Sequence, residues 1–486
     1  MTVAVRGERD GVLAKVVSEA DLNTDTPKVD LKRSEGKLTS KINLGADLSS
    51  VRFLIENEDM SYRGVCVGGD GFISTERRGA FSFSSSGNLV RPILNGRDFA
   101  QRQQPRWAID TYDLSENELR EKSPDIYQHL KDTVYIQRQQ SKRESYRRLW
   151  WVFMEPRPAF RESIENINRY IVTTMTAKHR VFLFVTDNAI SDQGVVCISS
   201  QSSHLLAALS GRIHVMWVLR TSGYLGVGND SRYNNSVSFG PFPFPTNSSL
   251  QLEALGERLD AFRKERLAKH DHLTITGLYN VLERVRELEN GAKVDPLTPS
   301  ERDVYDAGQI AILKELHDDI DRAVFAAYGW EDLTTRLVGK PGATTPSPHK
   351  SEDQEAAEEE LLMRLVALNQ ERAADEKRGI VHWLRPDFQI PRLGRRVHGQ
   401  EQHEADLGEP VVTAAEVKWP NDGLDQIRSV RDMLAAANGP VRPDALSAAF
   451  SGRSTPKRRE RIQAVLETLV ATGSARAGDA GYYLPR

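Results

Sequence analysis

The sequence predicts an α+β, multidomain chain, and three patterns carry that prediction. Short alternating apolar runs broken by Gly and Asn/Asp turns fill the first part, to about Val90. Charged segments with apolar residues at helical spacing dominate from Ser249 to Trp330. The last stretch, from Leu424, reads helix, helix, helix and then a short β wing at 474–484, the order of a small winged-helix-like module. At about 100–200 residues per domain, a length of 486 residues predicts two to four domains.

The elements follow in order. Met1–Val5 is strand-like, and the runs 41–44, 63–67 and 71–74 are β-like. From Arg91 to about Pro245 strands and helices mix. Val181–Val185 and Gly194–Ile198 are apolar β runs, whereas His204–Arg220 spaces Leu205, Leu206, Leu209, Ile213, Met216 and Trp217 as one helix. Phe242-Pro243-Phe244-Pro245 breaks any regular element, because Pro removes a backbone donor and fixes φ. Helices are expected over 250–270 and 276–290. Another starts at Thr298-Pro299-Ser300-Glu301 and runs through 304–327 to Gly329. The segment 339–350 is rich in Gly, Pro, Thr and Ser and reads as a linker. Glu352–Lys377 is a charged helix whose acidic first turn suits the helix dipole, and its 352–360 run is expected on an exposed face. Residues 392–410 read as a second flexible stretch, and no internal repeat occurs.

Composition narrows the function classes. Hydrophobic residues make up 39% and charged residues 27%, enough for cores with solvated stretches between them. The net charge of −3 means that any surface for a polyanion must be a local basic patch. Two cysteines, Cys66 and Cys197, exclude a disulfide framework and a zinc ribbon and suit a reducing, cytoplasmic setting. The longest clean apolar run, Val181–Val185, is far too short to span a bilayer, so no membrane partner is expected. Met1–Asp10 is charged and lacks the apolar core of a signal peptide.

A family resemblance rests on an ordered set of motifs. Arg-Pro-Ile-Leu-Asn-Gly-Arg-Asp at 91–98 is followed by Arg106-Trp107-Ala108-Ile109-Asp110, Tyr127-Gln128-His129-Leu130, Arg148-Leu149-Trp150-Trp151 and Pro156-Arg157-Pro158. Arg180-Val181-Phe182, Tyr233-Asn234-Asn235 and Pro241–Pro245 come next, then Leu316–Asp321 and Ala326–Trp330. Together these resemble the target recognition and helical C-terminal regions of the MmeI-like, Type II restriction–modification, adenine-specific DNA methyltransferases. The segments 366–369 and 383–386 are similar to an extension on related bacterial methyltransferases. The resemblance implies a remnant of the methyltransferase domain at 1–40 and a DNA target recognition domain at 41–248. A helical C-terminal region at 249–338, a linker with charged helix at 339–415 and the winged-helix-like module at 416–486 complete the division. It also implies double-stranded DNA as partner and S-adenosylmethionine as cofactor of a catalytic domain. That chemistry needs an Asn/Asp-Pro-Pro-Tyr/Phe loop to polarise and stack the flipped adenine. The sequence contains no Pro-Pro dipeptide, so neither catalytic nor cofactor-binding residues are expected in this chain, and a separately encoded catalytic domain is implied. Residues 2–11 resemble the end of that domain.

Candidate DNA contacts divide by chemistry. Between Gln137 and Arg180 there are ten Lys/Arg and four Asp/Glu, a surplus of six. Arg138, Lys142, Arg143, Arg147, Arg148, Arg157, Lys178 and Arg180 are therefore expected to position the DNA backbone without reading it. Arg220, Asn229, Asp230, Arg232, Tyr233 and Asn234 surround a loop and are expected to read bases: Arg pairs with guanine, Asn with adenine, and Asp accepts from the cytosine amino group. The Gly226-Val227-Gly228 turn follows a helix-like segment rather than a first strand, so it reads as a turn and not a cofactor loop. Trp150-Trp151 reads as core, and Asn95-Gly96-Arg97-Asp98 as a tight turn with positive φ. Asp387 with Glu416-Val417-Lys418 echoes a nuclease pattern by chance. His270 and His272 around Asp271 lack the company a metal needs, and no metal site is expected. Lys457-Arg458-Arg459 either touches a DNA backbone or solubilises the module; both readings stand. A non-catalytic DNA-binding regulator using the winged-helix-like module is the alternative function.

Overall fold

The computed structural model describes residues 11–20, 28–36, 45–75 and 89–394, apart from 103, 105, 187, 226–229 and 248. It also describes parts of 419–483, leaving out 421, 437–440, 442, 451–454, 472–474 and 479–480. The strand-like start at 1–5, the 41–44 run, Asn229, His398, His403 and Glu416–Lys418 lie outside these residues, as does most of the 392–410 stretch. The chain divides into two compact units, Met1–His398 and Gly399–Arg486.

In the first unit, Gly11–Ala20 and Lys28–Gly36 form an antiparallel ribbon with a bulge between Val16 and Ser18. Two further sheets carry the fold. Ser61–Arg63, Val195–Ile198, Arg169–Thr174 and Leu183–Thr186 form, in that order, an antiparallel sheet whose last three strands are buried along nearly their whole length. That is why Val181–Val185 and Gly194–Ile198 read as continuous apolar runs rather than alternating ones. Ile190–Ser191, Val90–Leu94, Trp107–Ile109 and Ile73–Ser74 form the second sheet. It supports a separate core of Phe72, Ile93, Ile109, Leu130, Val134, Trp150 and Trp151. Trp150 and Trp151 are core residues, meeting edge to face at 6.0 Å.

Helices cover the first sheet. Ser203–Ser210 and Arg212–Thr221 replace the single helix expected over 204–220. Gly211 sits in extended backbone (φ −73°, ψ 154°), ending the first helix and capping the second. Leu250–Lys269 and Ile275–Glu289 lie where expected, each with a Ser or Thr side chain capping its first turn. Gly256 allows a close helix crossing, since a Cβ there would come within 2.1 Å of the Ser203 carbonyl oxygen. The helix expected from 298 to 327 is broken into Pro299–Gly308 and Ile310–Tyr328 by Gln309, whose φ is +49°. Asn95 is not a positive-φ turn residue but the N-cap of Gly96–Ala100, in a reciprocal capping box with Asp98.

The largest departure concerns 339–377. Ala343, Thr344 and Thr345 are buried, so 339–350 is packed chain and not a linker. Buried Glu283 accepts hydrogen bonds from Gly342 N (2.9 Å), Thr344 N (3.1 Å) and Thr344 Oγ1 (3.0 Å). Buried Arg212 donates to the Lys340 and Pro341 carbonyls. The Glu352–Lys377 helix has its expected bounds, with Ser351 capping it, but it is not a solvated rod. Leu361, Leu362 and Leu365 join the main core, and Glu358 in the acidic run is buried between Arg212, Lys350 and Gln354. Its polar residues also serve distant backbone. Asn369 accepts from Arg52 N (2.8 Å) and donates to the carbonyls of Arg52 (2.8 Å) and Pro241 (2.6 Å). One apolar core therefore runs through the ranges 41–248, 249–338 and 339–377, which had read as separate regions.

The second unit orders its elements as Gly423–Ala436, a bridge at Val441, Pro443–Ala449, Pro456–Ala471, Arg476–Gly478 and Gly481–Tyr483. Val441 pairs with Tyr482, so the lone bridge and the terminal hairpin form one small sheet, as in a winged helix. Val430, Leu434, Leu446, Phe450, Ile462, Val465 and Leu466 make its core. Among the described residues no helix is long and apolar enough to cross a membrane.

Candidate recognition surface

A small antiparallel sheet brings together parts of the two expected contact sets. Its strands are Tyr224–Leu225, Asp230–Arg232 and Thr176–Ala177, with Arg232 opposite Thr176 and Ser231 opposite both Ala177 and Tyr224. Alternation sets the two faces. Ser231 is fully buried and turns inward, so Asp230, Arg232 and Thr176 share the outward face. Arg232 is exposed, and exposed Lys178 lies at the sheet's margin, its Nζ 2.7 Å from Asn280 Oδ1. Thr176 was missed by the sequence reading. The signal for it was the i, i+2 spacing to Lys178 in a β segment.

Beneath this sheet lies a strut. Arg180 is buried and donates through Nη1 to Thr173 Oγ1 (3.0 Å) and the Thr174 carbonyl, and through Nη2 to Ser231 O (2.6 Å) and Ser231 Oγ (2.9 Å). Its backbone N donates to Thr344 O (3.0 Å), which ties the strut to the packed 339–350 segment. Arg180 therefore cannot position a DNA backbone. Burial pulls its guanidinium pKa down to about 10, against the opposing influence of Tyr233. Tyr233 is likewise buried, with its hydroxyl 3.1 Å from His214 Nε2, and is not a base reader. His214 is held near a pKa of about 3, first by burial and then by the Arg180 charge, so it is neutral. Phe182, Phe242 and Phe244 surround it, which explains the Phe-Pro-Phe-Pro run as a plug of the core. Asn57 Nδ2 satisfies the plug's carbonyls at Gly240 and Phe242, both at 2.8 Å.

The remaining candidates separate in the same way. Arg138 is buried, donating to the carbonyls of Val67 (2.9 Å) and Val152 (3.1 Å), and is removed from the backbone-positioning set. Lys142, Arg143 and Arg148 are exposed on the turn and short helix that follow it. Arg143 Nη1 reaches Tyr146 Oη at 2.6 Å. Arg147 is half-buried and bonded to Ser141 O (2.6 Å), and Arg157 is half-buried against Gly64 O (3.2 Å). Arg220 pairs with Glu359 at 2.8 Å, which draws it away from the sheet. Asn234 spends its side chain on Ser236 N (2.9 Å). Asp230 and Arg232 thus share the outward face of the small sheet, while exposed Lys142, Arg143 and Arg148 lie on the turn and short helix that precede Trp150. Asp271 pairs with Arg102, and His272 lies 3.0 Å from Asp303. Among the described residues, no group of three or more His, Cys, Asp or Glu is placed to hold a metal.

Residues 66–246 match the family model of the MmeI target recognition domain. The chain carries an MmeI-type target recognition domain. The matched range contains the second sheet, every strand of the first sheet except Ser61–Arg63, and the whole Thr176–Arg232 sheet. A solved structure of the Type IIL restriction–modification enzyme MmeI in complex with DNA is similar at 18% identity and a TM-score of 0.49, covering 74% of this chain. The present chain spans 42% of that one's length. No curated protein matches.

Proposed function

We propose that this chain reads a short sequence in double-stranded DNA for an adenine-specific, S-adenosylmethionine-dependent methyltransferase of a cytoplasmic restriction–modification or phage-defence system. The observation that carries the reading is the placement, inside the matched recognition domain, of Arg232 and Asp230 on one outward polar face. Arg232 has the fork to pair with guanine O6 and N7, and Asp230 accepts from a cytosine amino group. Exposed Lys142, Arg143 and Arg148 hold phosphates and set the register of the duplex. A separately encoded catalytic domain flips and methylates the adenine.

Gly226–Gly228 lie outside the described residues, and the strands on either side of them do not suit a cofactor cradle. A cradle of that kind needs a strand of a parallel sheet leading into a helix N-terminus. Here Tyr224–Leu225 is the edge of an antiparallel sheet and leads into a further strand of it. No catalytic step is assigned to residues of this chain.

Selection of the purified chain against a random duplex library tests the proposal. Enrichment of one short sequence is expected, and recovery of duplexes without sequence preference overturns it. The compact winged-helix unit sustains the alternative of a DNA-binding regulator. Removing 399–486, and not the core helix 352–377, separates the two: selectivity survives if the first unit reads DNA and vanishes if the regulator reading is right.

A further inference from the structure

The C-terminal unit holds a cleft of about 740 Å³ that the recognition surface does not use. Trp419 and Gln426 form one wall, and Lys457, Arg458, Glu460 and Arg461 form the other. Three cations thus face one space with a single carboxylate among them. The Pro456–Ala471 helix begins Pro-Lys-Arg-Arg and has no acidic residue in its first turn. Cations at a helix N-terminus oppose the helix dipole, so the pattern is locally unfavourable and points to a bound anion that offsets it.

The geometry of the cations supports the same occupant. Arg461 is oriented by an amide and not neutralised by a carboxylate: its Nε donates to Gln426 Oε1 at 2.9 Å, and Gln426 Nε2 donates to Pro420 O at 2.9 Å. This leaves the other edge of the guanidinium for a ligand. A Cβ on Gly423 would approach Arg461 Nη2 to 3.4 Å, so the fork lies against the small residue that admits it. Lys457 is exposed and, among the described residues, has no carboxylate partner. The Trp419 ring is fixed edge to face against Phe450 at 4.8 Å.

We propose that this cleft seats a backbone phosphate of double-stranded DNA, giving the chain a second, sequence-independent hold on the duplex. The choice of DNA as the polyanion rests on the recognition reading above. The tether to a domain already on the duplex then raises the local concentration of phosphates at the cleft.

The test uses the full chain and two duplexes, one carrying the selected sequence and one of unrelated sequence, titrated between about 50 and 200 mM salt. Lys457→Ala combined with Arg461→Gln is expected to weaken binding to both duplexes about tenfold and to lower the slope of log affinity against log salt by about 0.9, the value for one phosphate contact. The ratio of the two affinities stays unchanged. Lys457→Ala alone leaves the Gln426 contact intact and Arg461 on the phosphate, and is expected to weaken binding to both duplexes by less than the double variant and to lower the slope by less than about 0.9. Unchanged affinity and slope in both variants overturn the proposal, as does a loss confined to one duplex. An effect on an RNA duplex without one on DNA, or on inorganic phosphate binding by calorimetry without one on duplex, also overturns it. Because the unrelated duplex is read separately, failure of sequence recognition leaves this measurement intact.

Discussion

Arg180 Nη2 lies 2.6 Å from the carbonyl oxygen and 2.9 Å from the hydroxyl of Ser231, so a buried guanidinium sets the height of the strand that presents Asp230 and Arg232. The same fork reaches Thr173 and Thr174 on the central sheet. Lysine cannot make these divergent bonds, because its ammonium is a point charge on a flexible stem. Arg180→Lys is expected to destabilise the chain by about 2–4 kcal/mol, as buried acceptors lose their donors. Thermal unfolding measures that loss. Because the strut acts through the sheet, sequence selectivity should fall more steeply than overall duplex affinity.

Arg232 and Arg148 are both exposed arginines of the recognition domain, yet they stand in different surroundings. Arg232 shares a sheet face with Asp230 and Thr176, whereas Arg148 closes the short helix that precedes Trp150. Arg232→Ala is expected to relax preference at one base position, at a cost of about 1–3 kcal/mol for the favoured base. Arg148→Ala should weaken all sequences alike and lower the salt slope by about 0.9. Binding measured on a panel of single-base variants distinguishes the two, and equal behaviour contradicts the assigned roles.

What was legible in the sequence and what was not follows from where the partners lie. Val181–Val185 announced a buried strand because both of its faces are covered, and the acidic first turn at Glu352 announced the start of a helix. These signals are local. Arg138 and Arg180 read as members of one basic stretch with Lys142, Arg148 and Lys178, because sequence alone does not show which cations meet carbonyls. The Val67 oxygen that binds Arg138 is 71 residues away, and Ser231 is 51 residues from Arg180. The 352–377 helix carries no clear apolar stripe, because its inward face includes Gln354, Glu358, Asn369, Arg372 and Glu376. The partners of Asn369, Arg372 and Glu376, near residues 52–56 and 241, are far off in the chain.

Glu283 shows why 339–350 is not a linker. It gathers two backbone N–H groups and a hydroxyl from that segment, and its charge is balanced by Arg286 at 2.9 Å. Glu283→Ala leaves Arg286 and the segment's donors buried without this acceptor, a loss of about 3–5 kcal/mol by analogy with other broken buried pairs. Limited proteolysis should then cut between 339 and 350, where the parent chain resists. Equal resistance in both chains would falsify the packed-segment account.

Glu56 gives a pH dependence with a defined sign. It is buried, 2.9 Å from Arg372, and its backbone N donates to Glu376 Oε1. Burial outweighs the attraction of Arg372, and the Glu376 charge adds to it, so the Glu56 carboxyl is pushed up from 4.5 to about 8. A carboxyl raised on folding binds its proton more tightly in the native chain than in the unfolded one. Stability is therefore greatest below about pH 4.5 with respect to this group. It falls as pH rises towards about 8, by at most about 1.4 kcal/mol per pH unit, and is level above that. Glu56→Gln cannot ionise, so its unfolding midpoint should decline less between these limits, as followed by denaturant titration at a series of pH values. The two chains should differ most in slope near pH 6 and least above pH 9, because only in the lower range do the native and unfolded states of the parent hold different numbers of protons. A parent chain whose stability rises across that window would place the Glu56 carboxyl on the other side of its ordinary value, with Arg372 and not burial in control.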